Sequence, residues 1–371
     1  MHVAGPAGRL RSLDIFRGAA MAAMILVNNS GNWEFTYAPL LHKEWHGWTF
    51  TDTVYPFFLW IVGVAVTLSV ARRVERGDSR RRLVLHALRR ASAIFAIGFL
   101  APALFGAAWE TIRIPGVLQR IAVCYFIATL IFLYTSIRGQ LYWLGGLCAV
   151  YWALMTLYPV PGFGPGRLDL PVGNFAQYID NLVLAGHMYE DSKVWDPEGI
   201  VSTLTATATV LCGILAGHLL RSKLTPEEKT AWFTVGGALL AGAGHLMQIW
   251  MPINKPIWTI PFVVFMAGLA MLCFGCWYWL ADVRGWARWF KPFEVFGMNA
   301  LAVYVLSGAL GSTLSIIPIG AEDAGQWWYR NVCSALLPSP YNAALLYALC
   351  NVAAMYGVAW LLYRRGWFVK L

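Results

Sequence analysis

The sequence predicts an all-α integral membrane protein, and three observations carry that reading. Of its 371 residues, 58% are hydrophobic and only 13% charged, more apolar surface than a soluble domain of this length hides. The apolar residues gather into runs long enough to cross a bilayer as helices. Lys and Arg collect in alternate connections between those runs. The 19 tryptophans fit the same class, because indole rings settle at membrane–water interfaces. A net charge of +9 needs no nucleic acid partner in such a protein, and no metal is called for either. Of the seven cysteines, all but Cys333 lie inside apolar runs, which implies no disulfide framework. Cys273 and Cys276 have C-x-x-C spacing but read as small packing residues among Leu, Phe and Trp.

About ten transmembrane helices are expected, at roughly 13–29, 50–71, 86–104, 116–136, 140–160, 200–220, 231–251, 257–281, 294–316 and 343–363. The first lacks a small-residue cleavage site and reads as a signal anchor. Basic residues then mark every second connection. Arg9, Arg11 and Arg17 open the first run, and an arginine series from Arg72 to Arg90 separates the second from the third. Arg138 follows the fourth, Arg221, Lys223 and Lys229 the sixth, Arg284, Arg288 and Lys291 the eighth, and Arg364, Arg365 and Lys370 the tenth. Only Lys43, Arg113, Arg120, Arg167, Lys193, Lys255 and Arg330 fall on the other side. Both termini are therefore expected in the cytoplasm. The connection from about Pro161 to Gly199, with Asp169, Asp180, Glu190, Asp191, Asp196 and Glu198, becomes an extracytoplasmic loop cap. No internal repeat or soluble insertion is visible, so 1–371 is expected to be a single transmembrane domain.

No Asp or Glu falls in the middle third of an expected span, where a proton-coupled transporter commonly needs a titrating carboxylate. Polar groups gather instead near the outer ends: Asn28, Asn29, His42, His46, Asp52, Arg113, Gln119, Arg120, His245, Gln248, Asn254 and Lys255. They predict a polar pocket under the external loops. At the cytoplasmic end, Asp14, Arg17 and Arg90 form a candidate anion-binding mouth. Each group has a plainer reading. His42 and His46 fit water-bonded loop residues, Asp14 and Arg17 a local ion pair, and the arginine series a topology signal beside anionic headgroups. The residue pattern alone yields an architecture and a sided polar cluster, but no reaction.

Ordered motifs add the chemistry. Arg9-Leu-Arg-Ser-Leu-Asp-Ile-Phe-Arg-Gly18, Val27-Asn28, His42-x-x-Trp45-x-Gly47-x-Thr49-x-x-Asp52 and Pro56-Phe57 lie in the first part of the chain. Arg113-Ile-Pro-Gly-Val-Leu-Gln-Arg120, Tyr178-Ile-Asp180, Asp196-Pro-Glu-Gly199, Pro252-Ile-Asn-Lys255-x-x-Trp258, Gly297-Met-Asn299 and Leu362-Tyr-Arg364 follow. Together they resemble the heparan-α-glucosaminide N-acetyltransferase family of membrane acyltransferases, in a bacterial form without the animal lumenal domain. The resemblance implies an acetyl-CoA-dependent acyltransferase of the bacterial inner membrane. It would acetylate the amine of a glucosamine-like sugar facing the periplasm, and a homodimer is what the family implies.

By the same resemblance His42 is the catalytic histidine and Asn28 its companion, while His46 falls where the animal enzyme has Asn. A neutral imidazole suits a general base, and an amide N–H suits an oxyanion donor. Arg17 and Arg90, with Asp14, are the candidates for the acetyl-CoA phosphates. Asp52, Asp196, Glu198, Arg113, Asn254 and Lys255 are expected to bind the acceptor, with Trp45 or Trp48 stacking on its apolar face. The alternative for Asp196-Pro-Glu-Gly199 is a cap on the sixth span. Direct transfer is favoured over an acetyl-histidine intermediate, since one base and one oxyanion donor suffice. Acetylation of a peptidoglycan or other glycan hydroxyl, and a sugar transporter, stand as the competing functions.

Overall fold

The computed structural model describes residues 10–105, 108–189 and 192–368. Arg9, Glu190, Asp191 and Lys370, named above, lie outside the described residues. The helices are α1 Arg11–Asn28, α2 Thr51–Glu75, α3 Arg80–Leu104, α4 Val117–Tyr134, α5 Ile137–Thr156, α6 Phe175–Leu184 and α7 Ser202–Arg221. They continue with α8 Pro226–Leu246, α9 Ile260–Tyr278, α10 Lys291–Met298, α11 Ala300–Ile316, α12 Ala324–Trp328, α13 Ser334–Leu336 and α14 Pro340–Arg364.

Helix forms over every expected apolar run, and the chain is a mostly helical multi-pass membrane protein with a short antiparallel strand pair, Pro318–Ile319 and Glu322–Asp323. Six helices among the described residues are long and apolar enough to cross a membrane: α2, α3, α4, α7, α9 extended to Val283, and α14. A seventh span results if α10 and α11, bent by 71°, count as one. The shortfall from ten has a local cause. The first turns of α1 and α8 carry charge (Arg11 and Asp14; Glu227, Glu228 and Lys229), and α5 is diluted by Gly, Tyr and Trp.

Contacts gather the chain into two compact units, Met1–Leu41 with Leu224–Gly237 and Met271–Lys370, and His42–Lys223 with Ala238–Ala270. Each is assembled from separated stretches, so no cut in the sequence releases either. In the first, α1 crosses α10 at closest approach through Gly18 and Gly297: a Cβ on either would run into the Phe293 or the Asp14 carbonyl. The α1 N-terminus lacks a local side-chain cap. Asp282 supplies one from far along the chain, accepting from the N–H groups of Arg11 (3.2 Å) and Ser12 (3.0 Å).

The second unit is built on α2 against α7. Gly63 and Gly213 face each other there, and a Cβ on either would strike the Val210 or the Trp60 carbonyl. Small residues of this kind let two helix backbones approach closely in a membrane. Thr67 Oγ1 donates to the Ile214 carbonyl at 3.0 Å across the same seam. Leucine at Gly213 is therefore expected to destabilise the protein by at least about 1–3 kcal/mol, the cost of overpacking a close contact. A lowered Tm in lipid or detergent checks this; an unchanged Tm contradicts the close crossing.

Candidate active site

The polar groups of the second unit converge where the loop from His42 enters α2. Asp52 lies in the first turn of α2 with a fully buried carboxylate, while the His42 side chain remains 51% exposed. Asp52 Oδ1 bonds His42 Nδ1 at 2.7 Å. Its Oδ2 accepts from the Lys43 N–H (3.1 Å), the Thr49 N–H (3.0 Å) and the Thr49 hydroxyl (3.2 Å). The Thr49-x-x-Asp52 spacing makes this possible, because a carboxylate at the second position of α2 reaches back to the backbone that enters the helix. The α2 N-terminus also favours an anion at this point. With Nδ1–H donating to the carboxylate, Nε2 is left as the acceptor of the ring. A histidine held by a buried acid, with one nitrogen available at a half-exposed surface, is the geometry of a general base.

Lys255 completes the group from a second loop. Its Nζ lies 3.2 Å from His42 Nδ1 and 3.4 Å from Nε2, and 3.9 Å from Asp52 Oδ1. A nitrogen almost equally far from both ring nitrogens is on neither lone-pair axis, so it acts on the ring through charge. Burial holds Lys255 below the usual lysine range, against the opposing pull of Glu198 and Asp52. The turn that presents it is tightly specified. Asn254 Oδ1 accepts from the Ile257 N–H at 3.0 Å, and the Trp258 N–H returns to the Lys255 carbonyl at 3.0 Å. Trp258 has φ +53°, a left-handed conformation that costs a bulky residue about 1–3 kcal/mol. Its complete burial and the bond from its indole N–H to Thr209 Oγ1 (3.0 Å) hold it there. Gly47 donates to the Ile253 carbonyl at 2.7 Å, tying the histidine loop to this turn.

Behind these groups lies a buried ionic layer. Arg113 grips Asp196 through two bonds, Nε to Oδ2 at 2.8 Å and Nη2 to Oδ1 at 2.5 Å, and also pairs with Glu198. Asp196 further accepts from the N–H groups of Tyr189 (2.9 Å) and Glu198 (2.8 Å). Burial disfavours charge on both Glu198 and Arg113, yet mutual pairing wins: the carboxyl is held below, and the guanidinium above, its usual range. Arg120, 2% exposed, packs its guanidinium over Trp258 and bonds Ser202 and the Gly199 carbonyl.

Several expected acceptor ligands are therefore occupied elsewhere. Asp52 holds the histidine and its loop and has no open edge for a sugar hydroxyl. Asp196 neither faces a ligand nor caps a helix, because its oxygens are filled by Arg113 and two backbone N–H groups. Asn254 is fully buried as a turn former, with Nδ2 3.3 Å from His46 Nδ1. Trp45 donates its indole N–H to the Leu168 carbonyl at 2.8 Å and packs edge-on against Trp195. Trp48, 41% exposed, is the more open of the two tryptophans. In the first unit, Asn28 is exposed at the end of α1. Arg17 there bonds Asp14 Oδ1 at 2.7 Å and the Gly297 carbonyl at 2.6 Å, so this pair joins α1 to α10 instead of opening toward an anion. Arg90 lies against Tyr125 in the second unit.

Sequence reasoning missed two things here. The contact of Lys255 with His42 spans 213 residues and leaves no local trace. Asp180, read in the sequence as a motif and loop-cap residue without a role of its own, is 1% exposed and accepts from the Ile200 N–H at 3.0 Å. Burial pushes its carboxyl up to about 6, against the backbone bonds from Ile200 and Asp196. An acid whose folded value lies above its unfolded value of about 3.9 stabilises the protein most below the unfolded value. That contribution is lost as pH rises through about 6. The Tm should thus contain a component, worth about 2–3 kcal/mol, that falls between pH 4 and pH 7 and disappears in Asp180→Asn. An identical pH dependence in the two proteins would contradict the burial argument.

Comparison with known proteins bears on the same stretch of chain. A family model described as heparan-alpha-glucosaminide N-acetyltransferase, catalytic, matches residues 9–251. The heparan-alpha-glucosaminide N-acetyltransferase of Mus musculus is 30% identical over 355 residues, covering 81% of this chain and 53% of that protein. The protein of the same name from Homo sapiens is 30% identical over 353 residues, covering 80% and 52%. The chain spans about half the length of the curated relatives it matches. His42, Asp52, Arg113 and Glu198 fall within the matched stretch, and Lys255 follows it.

Proposed function

The chain belongs to the heparan-alpha-glucosaminide N-acetyltransferase catalytic family, and from that premise we propose that it transfers an acetyl group from acetyl-CoA to the amine of a glucosamine-like sugar. The observation that carries the reading is the 2.7 Å bond between half-exposed His42 and buried Asp52. In the proposed reaction the sugar amine attacks the thioester carbonyl, and the C–N bond forms as the C–S bond breaks. His42 Nε2 takes the proton shed by the nitrogen, and Asp52 stabilises the imidazolium that results. The proton then passes to the departing thiolate, giving CoA and the amide. Lys255 offers a cation beside the base for the charge that develops on the thioester oxygen.

Direct transfer needs no acetyl-histidine, and we favour it. Asn28 enters as a second polar participant on the sequence match alone, and Asn28→Ala tests it. We place the protein in a bacterial inner membrane with the acceptor on the periplasmic side, on the strength of the Lys/Arg distribution. A homodimer is carried over from the family. Competition between acceptors tests the function. With acetyl-CoA as donor, glucosamine should be acetylated and N-acetylglucosamine, whose amine is already blocked, should not. Equal product from the two sugars would move the reaction to a hydroxyl. Sugar uptake into vesicles without acetyl-CoA would replace the enzyme with a transporter.

A further inference from the structure

The motif Arg113-Ile-Pro-Gly-Val-Leu-Gln-Arg120 ends in an arginine that the proposed reaction does not use. Arg120 is buried near the start of α4, and it joins that helix to two other elements of the second unit. Its Nη2 donates to the Gly199 carbonyl at 3.2 Å and to the Ser202 hydroxyl, at the entry to α7. That entry is itself fixed, since a Cβ on Gly199 would strike the Asp180 carboxylate. The guanidinium carbon lies over the Trp258 ring, 5.3 Å from its centroid. Trp258 closes the turn that carries Lys255, through the 3.0 Å bond from its N–H to the Lys255 carbonyl.

These contacts use the guanidinium in a way an ammonium does not reproduce. Its N–H groups donate in its plane while an aromatic ring packs on its face, so one group serves both partners at once. The Trp258 ring is enclosed on other sides by Tyr55 and Phe262, edge-on at 5.2 and 5.1 Å. Its left-handed backbone persists only where the surroundings hold it, and Arg120 is one of the groups that do. Electrostatics link the same residues. Burial disfavours charge on Lys255, Glu198 and Asp52 favour it, and Arg120 and Arg113 oppose it. Among the described residues Arg120 Nε and Nη1 have no acceptor, so Nη2 and the Trp258 ring define where the side chain sits.

We propose that Arg120 is a positioning residue for acetyl transfer: by holding Trp258 against the entry to α7, it sets where Lys255 meets His42. The proposal rests on the acetyl-transfer reading, and its test therefore includes a readout that needs no catalysis. The Lys255 side chain is 12% exposed, whereas Lys43 and Lys223 are open to solvent and serve as standards. An amine-reactive reagent, read by peptide mass spectrometry on the full-length protein, should label Lys255 more slowly than either. Arg120→Lys keeps the charge but not the planar fork, and should speed Lys255 labelling roughly fivefold, the effect of a typical single substitution on a local opening. In acetyl transfer, Arg120→Lys should lower kcat by about 10–10²-fold, as a small misplacement near the reacting groups does, with the KM for either substrate little changed. Lys255→Met should lower kcat by about 10²–10³-fold. Because Arg120 acts through Lys255, the two losses should not multiply. In the Lys255→Met background, Arg120→Lys should cost no more than about twofold. Ser202→Ala, which removes one partner of Arg120 without emptying the core, should show the same pattern at smaller amplitude.

Equal fold-losses from Arg120→Lys in the two backgrounds would overturn the proposal, as would Lys255 labelling that the substitution leaves unchanged. A raised KM with unchanged kcat would overturn it too, and would assign the two unengaged nitrogens of Arg120 to a substrate. A wild type that leaves glucosamine untouched, while the labelling difference persists, would remove the acetyl-transfer reading and keep the link from Arg120 to Lys255.

Discussion

His42→Ala is expected to lower the kcat of acetyl transfer by about 10²–10⁴-fold, the range that general base catalysis supplies. The side chain is half exposed, so its removal opens no core cavity, and Asp52 keeps the bonds from Lys43 and Thr49. Loss of the 2.7 Å partner of the buried Asp52 Oδ1 should lower the stability by about 1–3 kcal/mol, and a cooperative melting transition that persists separates loss of chemistry from loss of fold. Initial rates at saturating acetyl-CoA, with a melting curve of the same preparation, measure both. A variant as fast as the wild type would return His42 to the status of a loop residue.

Asp52→Asn is the second large effect, and its direction follows from the donors around the carboxylate. The N–H groups of Lys43 and Thr49 both point at Oδ2, so the asparagine carbonyl must turn toward them. Its NH₂ group then faces His42 Nδ1 and donates to it. Nδ1 becomes the acceptor, the ring proton moves to Nε2, and the base is lost by tautomer alone. The kcat should fall by about 10²–10⁴-fold with the KM for either substrate little changed, because Asp52 acts through His42 as a positioning residue. Loss of a charge-assisted bond should also cost about 1–3 kcal/mol of stability. A raised KM with unchanged kcat would instead make Asp52 an acceptor ligand.

The helices were legible in the sequence because their apolar runs are local, and the second run, expected from about residue 50, matches the start of α2 at Thr51. His42, the proposed base, was singled out by its motif. The roles of its neighbours were not. Asp52, Asp196 and Asn254 each looked available to a sugar, yet competing backbone donors and Arg113 occupy them, and such competition exists only in three dimensions. Trp45 looked like a stacking platform until its indole N–H found the Leu168 carbonyl 123 residues away. Lys255 shows the converse: expected at the acceptor from its place in the outer polar cluster, it is brought onto the imidazole by a turn that depends on buried Trp258. Charged residues in the first turns of α1 and α8 likewise show why ten apolar runs gave fewer helices with full membrane-spanning character.

One measurement tests the central claim most directly: mass-resolved acetyl transfer from acetyl-CoA to glucosamine by the purified wild type in lipid. N-acetylglucosamine formed in proportion to enzyme is the predicted result. Bound acetyl-CoA with glucosamine left untouched would contradict the proposed acceptor and the transfer chemistry assigned to His42 and Asp52.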